Sequence, residues 1–99
     1  MLTSKERAQL RAMANQIETI GQIGKEGIDA NVIKQVADAL EARQLVKYRV
    51  LENSALTARE AVQEIAEKTG SDPVQVIGSR FVLYKANREN PLIGGKTKK

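Results

Sequence analysis

The sequence predicts a single two-layer α/β domain, in which a first helix precedes the order β-α-β-α-β-β. Stretches with apolar residues at helical spacing alternate along the chain with short runs that suit strands. Two segments have the spacing of a capping box, which marks a helix start. A Gly-Ser pair separates the last two predicted strands, as in a two-residue hairpin. Right-handed crossovers place both crossover helices on one face of a four-stranded mixed sheet.

The first helix is predicted from Ser4 to Ala14. Thr3 and Glu6 have the spacing of a capping box, in which each side chain satisfies a backbone N–H of the other residue. The segment 18–23 alternates imperfectly between apolar and polar residues and is predicted to form a short first strand. The first helix carries an apolar stripe at helical spacing: Leu10, Met13, Ala14 and Ile17.

The second helix follows a turn that Gly24 and Gly27 bracket. Asp29 is the expected N-cap, because its side chain can accept a hydrogen bond from the first turn. Polar residues occupy the rest of the helix surface, so we expect one face to pack on the sheet. The apolar stripe consists of Ile33, Val36, Ala37 and Leu40.

The second strand is predicted over residues 45–51. Lys47 and Arg49 then lie on the face that points away from the crossover helices. The alternation places three residues on the face toward those helices: Val46, Tyr48 and Val50.

The third helix opens with a second capping box, formed by Thr57 and Glu60. Gly70 is expected to end it, since glycine readily adopts the left-handed conformation that terminates helices. Its apolar stripe consists of Ala58, Ala61, Val62, Ile65 and Ala66.

The last two strands are predicted at residues 73–77 and 81–85, joined by Gly78-Ser79. The hairpin makes the fourth strand antiparallel to the third. We find no internal repeat, and we expect one domain over residues 1–88 followed by a flexible basic tail over residues 89–99.

The composition excludes several classes of site. The 99 residues include no cysteine and no histidine, which removes disulfides, thiolate or imidazole metal sites and Ser-His-Asp catalysis. Carboxylates lie at spacings typical of exposed helix faces, so no enzyme, cofactor or metal is expected, although a magnesium site made of carboxylates alone stays open. No run of about 18 apolar residues and no signal-peptide core occurs, so we expect a cytoplasmic protein without a membrane segment.

The net charge of +4 favours a polyanionic partner, and its distribution is uneven. Residues 80–99 carry six basic side chains against one acid, which gives +5. Residues 1–79 carry ten basic and eleven acidic side chains, which gives −1. A nucleic-acid site would therefore have to be a local patch together with the tail.

The loop Gly24-Lys25-Glu26-Gly27 is the strongest local signal. Glycines let the backbone approach a phosphodiester closely, and Lys25 adds a positive charge at the tip. The loop leads into a helix N-terminus, which favours phosphate, and similar loops clamp about four nucleotides in KH domains. The alternative is a plain strand-to-helix turn. Glu26 and a capping Asp29 both count against phosphate binding.

Further cations could extend such a site. Lys47 and Arg49 could follow a phosphate backbone across the open sheet, and Arg80 and Lys85 could form a basic edge. The alternative is that these charges serve solubility or protect an edge strand. No aromatic stacking platform is expected, because Tyr48 shares its face with valines. Phe81 and Tyr84 fall on opposite faces, so at most one of them could be exposed.

These motifs, in this order, resemble the bacterial single-domain YhbY-like proteins of the CRM (chloroplast RNA splicing and ribosome maturation) family. The resemblance rests on Leu2-Thr3 before a basic first helix and on the loop Ile23–Ile28. It continues through Ala39–Lys47 and through the terminal segments 76–78 and 82–85.

The resemblance implies a fold similar to the C-terminal domain of translation initiation factor three. It implies RNA binding, association with the precursor of the large ribosomal subunit and a part in ribosome assembly. We expect the protein to be a monomer. The family's loop corresponds to residues 24–27, and its basic strand and hairpin correspond to Lys47, Arg49 and Arg80; Glu26 departs from the neutral residue expected there. Two other hypotheses remain: a protein-interaction module on the ribosome, and a nucleotide-binding enzyme.

Overall fold

The structure is a computed structural model that describes residues 2–86. It has three helices and a four-stranded mixed sheet, which confirms the predicted α/β class and element order. The tail predicted at residues 89–99 and the end of the domain predicted at residue 88 lie outside the described residues. The helices are α1 (Ser4–Ala14), α2 (Ala30–Arg43) and α3 (Ala58–Thr69), and the strands are β1 (Gly21–Ile23), β2 (Leu45–Val50), β3 (Asp72–Ile77) and β4 (Arg80–Tyr84).

The strand order is β1-β2-β4-β3, so β4 is inserted between β2 and β3. β1 runs parallel to β2, and β4 runs antiparallel to both of its neighbours. The first three strands therefore point in one direction, as predicted. Their carboxyl ends meet the amino end of β4 at one border of the sheet, which we call the loop edge. It carries the loops 24–27, 51–53 and 78–79.

The predicted caps form. Thr3 and Glu6 make both hydrogen bonds of a capping box at α1, and Thr57 and Glu60 do the same at α3. Gly70 ends α3 in the left-handed conformation, with φ of 70°. Such caps satisfy N–H groups that have no partner within the helix, so the short sequence signals set these helix ends.

β1 is shorter than the strand predicted over residues 18–23. Only Gly21–Ile23 pair with β2, and the N–H of Ile20 makes one further bond to the carbonyl of Lys47. Residues 15–19 connect the end of α1 to the border of the sheet.

One sheet face packs against α2 and α3 around Phe81, which is fully buried. The predicted stripe of α3 is buried throughout. The stripe predicted for α2 is wrong at Ala37, which is exposed, while Ala39 packs against the core. Val36 and Leu40 define the centre of the contact. Ala37 and Ala39 lie about 80° from this centre on opposite sides of the helix, and only the side of Ala39 meets the core.

The other sheet face packs against α1 at the end away from the loop edge. Leu10 and Ala14 of α1 are buried there, and the guanidinium of Arg7 donates to the carbonyl of Pro73. The sheet is thus covered by α2 and α3 on one face and partly covered by α1 on the other. Phe81 and Tyr84 do fall on opposite faces, and both are buried. The sheet residues under α1 are Leu45, Val74, Val82 and Tyr84.

Tyr48 lies in the main core, 5% exposed, as its position between two valines predicted. Its ring stacks on that of Phe81 with centroids 5.9 Å apart and an angle of 16°. Burial raises the pKa of the Tyr48 hydroxyl, and the positive charge of Arg43 partly opposes this. The ring therefore acts as a core residue and does not present a surface for stacking.

Candidate nucleic-acid interface

The loop 24–27 is a tight turn. The N–H of Gly27 donates to the carbonyl of Gly24 at 3.0 Å, which places Lys25 and Glu26 at the two central positions. Both side chains are exposed. Within residues 2–86, Lys25 forms no ion pair. The turn thus presents one lysine and one carboxylate side by side at the loop edge.

Asp29 caps α2, as predicted. Its Oδ1 accepts from the N–H of Val32 at 3.0 Å, which occupies one of the donors that a phosphate could use. Asp29 also brings a negative charge to the positive end of the helix dipole. Any anion at this loop would therefore be held by Lys25 and by the backbone of the turn more than by the helix terminus.

The two glycines of the turn differ in what the fold requires of them. Gly27 has φ of +73°, a conformation that disfavours side chains, whereas Gly24 does not have a positive φ. A Cβ added at Gly24 would meet only Leu51 Cδ1, at 3.8 Å, which is an ordinary contact. The turn therefore needs a glycine at position 27 and tolerates a side chain at position 24.

We expect Gly27→Ala to lower the free energy of unfolding by about 1 kcal/mol, because an L-residue is strained in this region. Gly24→Ala should change it by less than about 0.5 kcal/mol. Urea denaturation of the two variants measures both values. Equal losses would show that the turn geometry depends on Gly24 as much as on Gly27.

Polar and basic side chains share the open part of the sheet face next to the loop edge. Cross-strand partners lie on the same face, and residues two apart along a strand do so too. We call this set the basic face. Its first row, from β1 to β3, is Gln22, Arg49, Arg80 and Ile77, and its second row is Lys47, Val82 and Gln75.

Arg49 and Arg80 are directly opposite each other on antiparallel strands. The N–H of Val50 donates to the carbonyl of Ser79, so the Arg49–Arg80 pair is of the non-hydrogen-bonded type, in which side chains approach more closely. Neither arginine has an ion pair among residues 2–86. Like charges in this position are unfavourable for the sheet, which makes the pair a candidate for function.

The structure brings seven of the eight predicted site residues together around the turn 24–27 and the neighbouring strand ends. The N–H of Leu51, two residues after Arg49, donates to the carbonyl of Ile23, directly before that turn. The loop therefore lies beside the row that contains Arg49 and Arg80. The residues that meet at or next to the loop edge are Gly24, Lys25, Glu26, Gly27, Lys47, Arg49 and Arg80.

Lys85 is not part of this group. It follows the other end of β4, five residues from Arg80, which corresponds to about 17 Å of extended strand. Its Nζ donates to the carbonyl of Thr69 at 2.9 Å, at the C-terminus of α3. This bond ties β4 to α3 and points the charge at a helix end, where a cation is favourable.

Sequence reasoning missed three polar or apolar members of the open face. Gln22 and Gln75 extend the two rows of cations, and Ile77 is 59% exposed beside Arg80. The two-residue hairpin turn pairs Ile77 with Arg80, so the sequence contained a signal that these two side chains share a face. A bulge between Pro73 and Gln75 shifts the register of β3, so Gln75 could not be assigned in this way.

Two further kinds of site are absent from the described part of the chain. None of its helices has the length and apolar character needed to cross a membrane. Residues 2–86 also contain no cluster of three or more acidic side chains placed to hold a metal ion.

The chain is similar to several known proteins. The family model for the CRS1 / YhbY (CRM) domain matches residues 2–85. A Bacillus subtilis protein named "Probable RNA-binding protein YqeI" is 42% identical over 93 residues, covering 94% of this chain and 97% of its own. An RNA-binding protein of Haemophilus influenzae is 26% identical over 88 residues, 89% of each chain. A Staphylococcus aureus solution structure, described as a candidate RNA-binding protein, is 44% identical with a TM-score of 0.70, covering 95% of this chain and 98% of its own.

Proposed function

The chain belongs to the CRS1 / YhbY (CRM) domain family, and from this membership and its unpaired surface cations we propose that it binds RNA and is not an enzyme. The observation that carries the proposal is the convergence of the turn 24–27 with Arg49 and Arg80 at the loop edge. These cations have no ion pairs within residues 2–86. A surface of this kind suits a polyanion, and three relatives are named or described as RNA-binding proteins.

Phosphate groups are the proposed contacts. Gly24 has no side chain, so a phosphodiester can approach the backbone of the turn, and Lys25 supplies the charge at the tip. Arg49 and Arg80 can each donate two parallel hydrogen bonds to a phosphate, and Lys47 adds a point charge in the next row. Such contacts fix the position of an RNA and carry little sequence information.

Within this function we further propose ribosomal RNA of the large-subunit precursor as the partner, bound by a monomer in the cytoplasm during ribosome assembly. The resemblance to YhbY-like proteins supports this choice. Folded ribosomal RNA presents phosphates from neighbouring strands, which suits a convex turn beside a flat basic face. Lys85 would take part only where an RNA extends about 17 Å along β4.

Replacing Lys25 with aspartate should weaken binding to large-subunit ribosomal RNA fragments by about tenfold, or about 1.4 kcal/mol. The substitution places two carboxylates side by side at the tip of an exposed turn, which repels phosphate without disturbing the fold. Fluorescence anisotropy with labelled fragments, repeated across a salt titration, measures the change. Circular dichroism verifies that the variant is folded.

Lys5→Asp is the matched control, because it changes the net charge by the same amount. Lys5 is exposed in the first turn of α1, where an acid is favourable, and Arg7 anchors that turn to the far end of β3. We expect this variant to bind as the wild type does. If Lys25→Asp binds RNA as tightly as the wild type does, the loop is only a turn. Binding that vanishes near physiological salt for all variants would favour the protein-interaction module instead.

A further inference from the structure

A small concavity lies where the end of α1 meets the open sheet face. Its volume is about 90 Å³, and it lies within the second row of the basic face. Val82, 3% exposed, forms an apolar floor, and the exposed side chain of Ile77 forms an apolar wall. The residues that line it are Asn15, Lys47, Gln75, Ile77, Arg80 and Val82.

The size of the concavity restricts what it can hold. A water molecule occupies about 30 Å³, so the space corresponds to about three waters. Sites for cofactors and metabolites usually enclose about 300 Å³ or more, which excludes a whole nucleotide or a comparable small molecule. The edge of one flat ring fits this volume, provided that the rest of the ligand lies outside on the sheet.

The lining combines three kinds of chemistry at one place. Neither Asn15 nor Gln75 uses its side-chain amide in a hydrogen bond within residues 2–86, so each can donate and accept. Ile77 and Val82 offer apolar contact, and Lys47 and Arg80 offer positive charge. A nucleotide has the complementary parts: a ring with apolar faces, an edge of donors and acceptors, and a phosphate.

The arrangement of exposed apolar residues argues against a protein partner on this face. Ile20 and Ile77 are the large apolar residues that are exposed in the described part of the chain. They lie at opposite borders of the sheet, next to β1 and in β3, and cations occupy the space between them. Protein interfaces have apolar cores depleted of charge, whereas here the charges lie in the centre and the apolar residues at the borders.

We propose that this concavity receives a single unpaired base of a bound RNA. The amides of Gln75 and Asn15 hydrogen-bond to the edge of the base, and Ile77 and Val82 contact its ring. Lys47 and Arg80 hold the adjoining phosphates. The inference rests on the proposed RNA-binding function and adds what the phosphate contacts lack, namely a preference for unpaired RNA and for certain bases.

The test uses labelled single-stranded oligonucleotides of equal length: homopolymers of each base, and a strand in which an abasic site replaces every base. For the wild type we expect affinities that differ by at least about fivefold between the best and poorest homopolymer, the size of effect expected of one hydrogen bond. Replacing every base of the best sequence by an abasic site should weaken binding by at least a similar factor.

Two variants test the lining separately. Gln75→Met keeps the length of the side chain but removes its hydrogen bonds, and it should reduce the difference between bases to less than about twofold. Ile77→Thr suits an exposed strand position and should lessen the effect of the abasic sites. Gln63→Met, on the exposed surface of α3, is the matched control and should retain the wild-type difference.

The outcomes separate this inference from the proposed function. If the wild type binds every homopolymer and the abasic oligonucleotide equally, RNA binding stands and the base site is wrong. If bases are distinguished but Gln75→Met and Ile77→Thr both behave as the wild type does, the base is read elsewhere and the site is again wrong. If no RNA is bound at low salt, the proposed function and the base site are overturned together.

Discussion

Replacing Arg49 and Arg80 together with glutamine should weaken RNA binding by about a hundredfold and leave the fold at least as stable as the wild type. A hydrogen bond to a charged group contributes about 1.5 kcal/mol at the low end of its usual range, which suits exposed side chains, so the loss of two gives about 3 kcal/mol, or about a hundredfold. The stability should rise by a few tenths of a kcal/mol, because the two guanidinium groups oppose each other directly across β2 and β4. Glutamine retains most of the side-chain length and removes that repulsion.

Two measurements check the two parts of this prediction. Anisotropy across a salt series should show the slope of log affinity against log salt falling by about 1.4–1.8, since each phosphate contact contributes about 0.7–0.9. Urea denaturation gives the stability. The control combines Lys5→Gln with Lys68→Gln, which removes the same charge at the opposite end of the sheet. A loss of more than about 1 kcal/mol of stability would show that the arginines support the fold and would contradict the interpretation.

This pair shows how far the sequence can predict the site. Strand alternation placed Lys47 and Arg49 on the face away from α2 and α3, and the Gly-Ser turn placed Arg80 at the start of β4. Both signals are local. The opposition of Arg49 and Arg80 depends on β4 lying between β2 and β3, which long-range packing decides. The sequence contains no local signal for that order.

Lys85 is the opposite case, because the sequence alone already separates it from Arg80. It lies five residues after Arg80 in an extended segment, so a separation of about 17 Å follows from the rise of a strand. Only its bond to the carbonyl of Thr69 needed the structure. Positive residues that are near in sequence on one strand are therefore no evidence of one patch.

The position of α1 was also partly predictable. Its apolar stripe showed that it packs against something, but a stripe does not say which sheet face receives it. β4, however, has four consecutive buried apolar residues, Phe81–Tyr84. A strand with one solvent-exposed face would alternate, so such a run indicates that both faces are covered. Helix α1 covers the second face, and the part it leaves open is the candidate interface.

Gly21→Ala should lower the free energy of unfolding by about 1–3 kcal/mol, the range found when an extra methyl group is forced into a packed core. A Cβ at this position would lie 2.5 Å from Cε2 and 2.9 Å from Cδ2 of Tyr48, its partner across β1 and β2. The ring of Tyr48 has little freedom to move, because it stacks on Phe81 and is 5% exposed. Urea denaturation measures the loss, and Gly24→Ala, on the same segment, is the control expected to show almost none.

A double-mutant cycle identifies the Tyr48 ring as the cause. Tyr48→Leu destabilises the protein by itself, since it removes a stacked ring from the core, but it also removes the atoms that a Cβ at Gly21 would meet. Gly21→Ala should therefore be less harmful in the Tyr48→Leu background, with an interaction energy of about 1 kcal/mol or more. The same loss in both backgrounds would mean that the backbone of β1, and not the aromatic ring, requires glycine.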